Sequence, residues 1–138
     1  IEPYLISSTV EGVLAQRLVR CICPACREPA EVPASIQEEI KAAFPDKFGA
    51  AKFSRGRGCP NCRFTGYKGR RAICEILLMN DDLRDLVVRR AHNREIMNAA
   101  MRNGLTTLRQ NGWAAVLDGS TTVEDVLRVS QEAGDHVE

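Results

Sequence analysis

Four cysteines are the residues whose types and spacing can do chemistry: Cys23 and Cys26 in Cys-Pro-Ala-Cys, then Cys59 and Cys62 in Cys-Pro-Asn-Cys, with thirty-two residues between the pairs. A two-residue gap lets one tight backbone turn aim both sulfurs at a common point. Two such turns complete the tetrahedral four-sulfur shell that Zn2+ prefers, so a closed structural zinc site is the expected role of all four. Gly56 and Gly58 stand before the second pair, where a knuckle needs backbone freedom. The loop between the pairs is longer than the ~15–20 residues of a compact zinc ribbon and is expected to carry structure of its own.

Redox chemistry and disulfides are the competing uses of these thiols. Cys-Pro-x-Cys also resembles the glutaredoxin active site, but that chemistry takes one such motif at the mouth of a βαβ unit, and here there are two without that context. Disulfides need an oxidising compartment, and nothing in the chain resembles a signal peptide. Cys21 lies two residues before a ligand, where it can either swap into the shell or point away, and pointing away is the favoured reading. Cys74 sits in the apolar run Ala72–Leu78 and is expected to be a small inert core residue.

Around the second pair crowd Arg55, Arg57, Arg63, Lys68, Arg70 and Arg71, with no acid between Asp46 and Glu75. Four thiolates on one Zn2+ leave a formal charge of −2, so cations are expected nearby on electrostatic grounds alone. The alternative is a basic surface for a phosphate or an anionic partner.

The elements that must position these groups are read from periodicity. At 138 residues the chain can bury about two thirds of its unfolded surface. A net charge of +1 with 27% charged residues argues against bulk polyanion binding. No apolar run approaches the ~20 residues of a membrane span, so direct membrane insertion is not expected. Val10, Val13, Leu14 and Leu18 form a helical stripe running into the first knuckle, and the start reads as the edge of a longer chain. Ser35-Ile36-Gln37-Glu38 is a capping-box pattern predicting a short helix that carries Ile36, Ile40 and Phe44, stops at Pro45 and packs on the metal site.

Arg71 to Leu78 reads as a strand covered on both faces, with Glu75 paired to Arg70 or Arg71. Four helices are expected beyond it. The first carries Leu83, Leu86 and Val87; the second carries Ile96, Ala99 and Ala100 and ends at Gly104. The third runs from near Thr106 to Gly119, with Trp113 in its core face. The fourth is capped at Thr121-Thr122, with Val123, Val126, Leu127 and Ser130 inward, and the tail after Glu132 is expected to fray. The fold class is α+β and mainly helical: a small zinc-knuckle subdomain, a strand, and a C-terminal helical bundle.

Enzyme chemistry finds no support in these residues. There is no Gly-x-x-x-x-Gly-Lys-Ser/Thr phosphate loop, no His-Glu-x-x-His and no Gly-x-Ser-x-Gly, and His92 and His136 are isolated.

The order of motifs resembles the C-terminal region of the bacterial secretion ATPases, the type II secretion and type IV pilus assembly motors. It rests on Ala15-Gln16-Arg17-Leu18-Val19-Arg20 before the first cysteine pair, Thr65-Gly66-Tyr67-Lys68-Gly69-Arg70 after the second, and Glu75-Ile76-Leu77. Gly104-Leu105-Thr106-Thr107-Leu108, Asp118-Gly119-Ser120-Thr121-Thr122 and Glu124-Asp125-Val126-Leu127-Arg128-Val129 extend the likeness over nearly the whole chain.

The resemblance implies a fragment of a hexameric, RecA-like ATPase that couples ATP hydrolysis to protein export or pilus extension. Residues 1–20 would be the terminal helix of the ATPase core, 21–70 a tetracysteine zinc-binding subdomain, and 71–138 a strand plus helical subdomain. ATP and Mg2+ would belong to the parent protein, whose phosphate loop lies upstream, and the piece alone would be inactive. Gln16, Arg17 and Arg70 would come near the nucleotide. The implied partners are other subunits of the hexamer and the inner-membrane assembly platform, at the cytoplasmic face of that membrane, with nucleic acid not among them. Two readings from other classes stand beside it: a nucleic-acid-binding zinc module that uses the basic residues with Phe64 and Tyr67, and a stand-alone zinc adaptor.

Overall fold

Proline, asparagine and glycine punctuate the chain into helices and strands that divide between two compact units. The structure, a computed structural model, describes residues 1–131; the expected fraying after Glu132, and His136, lie outside the described residues. One unit comprises Ile1–Ala15 with Cys74–Thr107, the other Gln16–Ile73 with the described residues from Leu108 on. The α+β class is as expected, but these units do not follow a division at residues 20 and 70.

The first unit begins with α1 (Pro3–Thr9), which has Pro3 at its first position, where the missing N–H costs nothing. It also holds α4 (Asp81–Val88) and α5 (Asn93–Arg102). Asn80 caps α4, its side chain accepting the Leu83 N–H at 2.9 Å, and Asp81 and Asp82 sit in the first turn, where the helix dipole favours carboxylates. Leu83, Leu86, Ala99 and Ala100 form the core, as the helical stripes predicted, with Ile96 packed against them.

Both helices close in Schellman geometry. After α5 the Leu105 N–H reaches the Ala100 carbonyl across Gly104, which has φ +92°. After α4 the Ala91 N–H reaches Leu86 across Arg90, a non-glycine at φ 54°.

In the second unit α2 (Ala34–Ala43), α3 (Pro45–Phe48), α6 (Leu108–Leu117) and α7 (Val123–Gln131) surround Val19, Ile40, Ile73, Trp113, Val116 and Val126. Trp113 is fully buried and its indole N–H donates to Glu39 at 3.0 Å, which makes it a core residue. Gly119 (φ +81°) ends α6 as expected. Thr122 caps α7 by accepting the Asp125 N–H at 3.2 Å. The helices beyond the strand thus form two pairs, α4–α5 in one unit and α6–α7 in the other.

Four expectations give way. The stripe Val10–Leu18 is not a helix: Gly12–Ile22 is strand β1, paired with β4 (Tyr67–Leu78). Positions 10, 14 and 18 satisfy a period of two as well as 3.6, so the pattern could not separate the two, and pairing with β4 decides.

β4 is not covered on both faces. Only Ile73 in it is buried; further on Leu77 packs against the core of α4 and α5, while Ile76 and Leu78, on the other face of the strand, are 53% and 71% exposed.

The capping box does not form. α2 starts two residues earlier than that box requires, with Pro33 at the cap, and Gln37 instead donates to the Val32 carbonyl at 2.8 Å. Nor does α2 pack on the cysteines. It lies against α6, where Glu39 receives the Arg109 guanidinium at 2.6 and 2.8 Å.

Candidate metal centre

Each cysteine pair is built on a single turn of 3-10 helix opened by proline. Cys23 ends the stretch after β1, and Pro24–Cys26 turns the chain into β2 (Arg27–Pro29). The second pair follows β3 (Ser54–Gly56), with the turn over Pro60–Cys62. Strands β2 and β3 pair antiparallel, Arg27 opposite Gly56 and Pro29 opposite Ser54, and the Arg57 N–H donates to the Cys26 carbonyl at 2.9 Å. This small ribbon sets one knuckle against the other.

Two glycines let the second knuckle close on itself. A Cβ on Gly56 would lie 1.9 Å from the carbonyl oxygen of Gly66, so any side chain there would force apart the segments that enter and leave the Cys59–Cys62 turn. Gly58 has φ +98°, in the region that side chains avoid.

The four sulfurs lie within 4.8 Å of one another and can hold a metal ion. Cys23–Cys59 and Cys26–Cys62 are 3.9 Å apart and Cys59–Cys62 3.8 Å. A tetrahedral ion with sulfur bonds of about 2.3 Å requires sulfurs about 3.8 Å apart, so the cage has the right size. None of these cysteines is disulfide-bonded.

Backbone donors surround the shell as they do around bound thiolates: Gly58 N–H to Cys26 Sγ at 3.3 Å, Cys59 N–H to Cys62 Sγ at 3.3 Å, and Gly66 N–H to Cys62 Sγ at 3.2 Å. Burial pushes the Cys26 thiol up to about 11. Burial acts the same way on Cys62, but the N–H groups of Cys59 and Gly66 outweigh it and bring that thiol down to about 6.

Cys21 is half-buried and outside the quartet, and Cys74 is half-buried on β4. Gln16 and Arg17 on β1 and Arg70 on β4 are exposed. In the basic cluster, Arg55 pairs with Glu28 at 2.8 Å and Arg71 pairs with Asp118. Arg57, Arg63, Lys68 and Arg70 are exposed with no ion pair among the described residues.

Sequence reading missed the group that ties this lobe to α7. The Asp125 carboxylate is buried. It accepts the Arg20 N–H at 2.6 Å, Arg20 Nε at 2.8 Å, and Arg128 Nε and Nη2 at 3.2 Å each. The Arg20 guanidinium lies 4.1 Å from the centre of the Tyr67 ring, whose hydroxyl is 2.7 Å from Thr122 Oγ1. Thr121 donates to the Arg20 carbonyl at 2.7 Å. Burial would raise the Asp125 carboxyl, but Arg128 and Arg20 hold it below the usual carboxylate range. In the sequence Asp125 stood in the first turn of a helix, where an acid ordinarily faces water, and its place in the Glu124–Val129 motif gave no hint of burial.

Among the described residues no helix is long and apolar enough to cross a membrane. The family model described as type II/IV secretion system protein matches residues 1–128. The chain is 41% identical over 132 residues to type II secretion system protein E of Pseudomonas aeruginosa, covering 96% of this chain and 26% of that protein. Against the type IV pilus assembly ATPase PilB of Myxococcus xanthus it is 40% identical over 130 residues, 92% of this chain and 22% of the relative. Type II secretion system ATPase E of Vibrio cholerae is 41% identical over 133 residues, with shares of 96% and 26%. The chain spans about a quarter of the length of these relatives. With the match running through both cysteine pairs and on to α7, this chain belongs to the type II/IV secretion system protein family.

Proposed function

We propose that this chain is the zinc-binding portion of a hexameric motor ATPase that powers protein export or pilus extension, and that its own role is structural and docking. The observation that carries this reading is a four-sulfur cage of zinc dimensions in a chain that belongs to the secretion family. Cys23, Cys26, Cys59 and Cys62 would hold the ion, which supplies folding energy and no reaction chemistry. ATP and Mg2+ belong to the parent protein, where Gln16, Arg17 and Arg70 come near the nucleotide. The 138 residues contain no phosphate loop, and the chain alone hydrolyses nothing. The partners are neighbouring subunits and the assembly platform at the cytoplasmic face of the inner membrane, met by the unpaired cations beside the knuckles.

Elemental analysis of freshly purified, reduced protein is expected to find about one zinc per chain. Chelation is expected to unfold the lobe, since structural zinc contributes on the order of ten kcal/mol. Metal-free protein with an unchanged far-UV spectrum overturns the zinc assignment. Charge reversal at Arg57 and Arg63 in the full-length protein is expected to impair secretion or pilus assembly while zinc content holds, and unimpaired function removes the docking role.

A further inference from the structure

The second knuckle ends on two consecutive non-glycine residues in the left-handed region, Arg63 at φ 54° and Phe64 at φ 61°. For a bulky residue that conformation is an outlier, and such outliers cluster where a ligand or partner is gripped. The backbone bend itself has a structural cause. The Phe64 N–H closes on the Cys59 carbonyl at 2.9 Å, and the Phe64 carbonyl oxygen would lie 2.8 Å from any Cβ on Gly58. The ring has none, being 73% exposed. With Arg57, Arg63, Lys68 and Arg70 nearby in sequence, exposed and without ion pairs among the described residues, the knuckle presents an aromatic plug in cationic surroundings.

The other unit, taken by itself, carries the complement. A cleft of about 170 Å³ opens among Ile76, Leu78, Met79, Leu83, Ala100 and Leu105. The cleft is open on one side and Asn80 and Asn103 also line it; its volume is close to the ~150 Å³ of an apolar cavity that accepts benzene, so it has room for a phenyl ring. At its rim Asn80 leads into Asp81 and Asp82, both exposed and free of ion pairs among the described residues. Socket and carboxylates answer plug and cations in size and in sign.

We propose that Phe64 of one copy of this chain seats in the Ile76–Leu105 cleft of a second copy, with Arg57 and Arg63 facing Asp81 and Asp82. Plug and socket are different surfaces, so the contact is heterologous: it repeats head to tail and closes a ring or extends a filament. This rests on the reading of the knuckles as a docking face and names what docks there. An anionic membrane would satisfy the cations but leave the cleft open, and the experiment separates the two.

The test places p-benzoylphenylalanine at position 64 of the reduced, full chain and mixes it with 15N-labelled wild-type chain before irradiation. Cross-linked dimers are expected whose labelled peptides fall within residues 76–105. Their yield is expected to drop about tenfold when the labelled copy carries Asp81→Lys and Asp82→Lys, and to recover when the unlabelled copy also carries Arg57→Glu and Arg63→Glu. As a second measurement, Phe64→Gly is expected to raise the melting temperature, by relieving the left-handed backbone, while abolishing self-association in sedimentation. Cross-links confined to one chain, labelled peptides outside 76–105, or a yield indifferent to the charge swap overturn the proposal. If charge reversal at Arg57 and Arg63 impairs secretion while the cross-links miss residues 76–105, the docking face stands and the second copy is not its occupant.

Discussion

Replacing Asp125 with asparagine keeps the outline of the side chain and removes its charge, which isolates the contribution of the Arg20–Asp125–Arg128 group. In the carboxylate, Oδ2 receives the Arg20 N–H at 2.6 Å and Arg128 Nη2 at 3.2 Å, while Oδ1 receives Arg20 Nε at 2.8 Å and Arg128 Nε at 3.2 Å. Asparagine retains one acceptor oxygen and turns an NH2 against donors, so one of these two sets is lost. Two charge-assisted bonds at about 1.5–3 kcal/mol each set the upper range. The loss is smaller than their sum, because each guanidinium is 47% exposed and regains water.

A net cost of about 3 kcal/mol results, at the low end for opening a buried pair, and it lowers the melting temperature by roughly 10 °C. The pH dependence has a definite sign. Asp125 titrates below its ordinary value in the folded protein, held there by Arg128 and Arg20 against burial. Its contribution is complete above the unfolded carboxyl value of about 3.9 and is lost as pH falls through the lowered folded value. Glu39 and Asp118 are lowered too, but they are present in both proteins and cancel in the difference. Urea unfolding of wild type and Asp125→Asn, followed by circular dichroism from pH 7 to pH 3, measures the gap. A gap below about 1 kcal/mol, or one that does not shrink below about pH 4, refutes the electrostatic account.

Two further substitutions test the packing and the helix ends. Gly112→Ala places a Cβ 2.5 Å from Val126 Cγ1. Overpacking of about 1–3 kcal/mol is expected to exceed the ~1 kcal/mol gained in helix propensity, so thermal denaturation should show a net loss; a gain would mean that α7 yields. Arg90→Gly relieves the left-handed residue that closes α4 and is expected to stabilise by about 1 kcal/mol; slower hydrogen exchange in α4 checks it, and faster exchange counts against the Schellman account.

What could be read from the chain was what local chemistry determines. The cysteine spacing located the quartet, Gly104 and Gly119 marked two helix ends, and Thr122 marked a helix start, because each acts within a few residues of itself. Arg90 closes α4 in the same geometry but has no glycine to announce it. β1 was illegible because residues 10, 14 and 18 repeat equally well on a strand and on a helix, and β4, which decides the matter, lies some fifty residues on. Asp125 looked like an ordinary first-turn acid because Arg20 is 105 residues away. The failed capping box has the same root: Ser35 fits the pattern, but Pro33 starts the helix.

That separation in sequence also orders events during synthesis. The last of the four thiols of the cage precedes Asp125 by 63 residues, so an ion could close the two knuckles before Asp125 has been made. Arg20 must wait for Asp125, and closing so long a loop contributes little until its far end is made. With an ion bound there, the nascent lobe would pass through a period in which that ion is its principal fastening. Without an ion at that stage, neither metal nor final helix would be there to bring Cys23, Cys26 and Cys62 into the buried cluster they form in the finished fold.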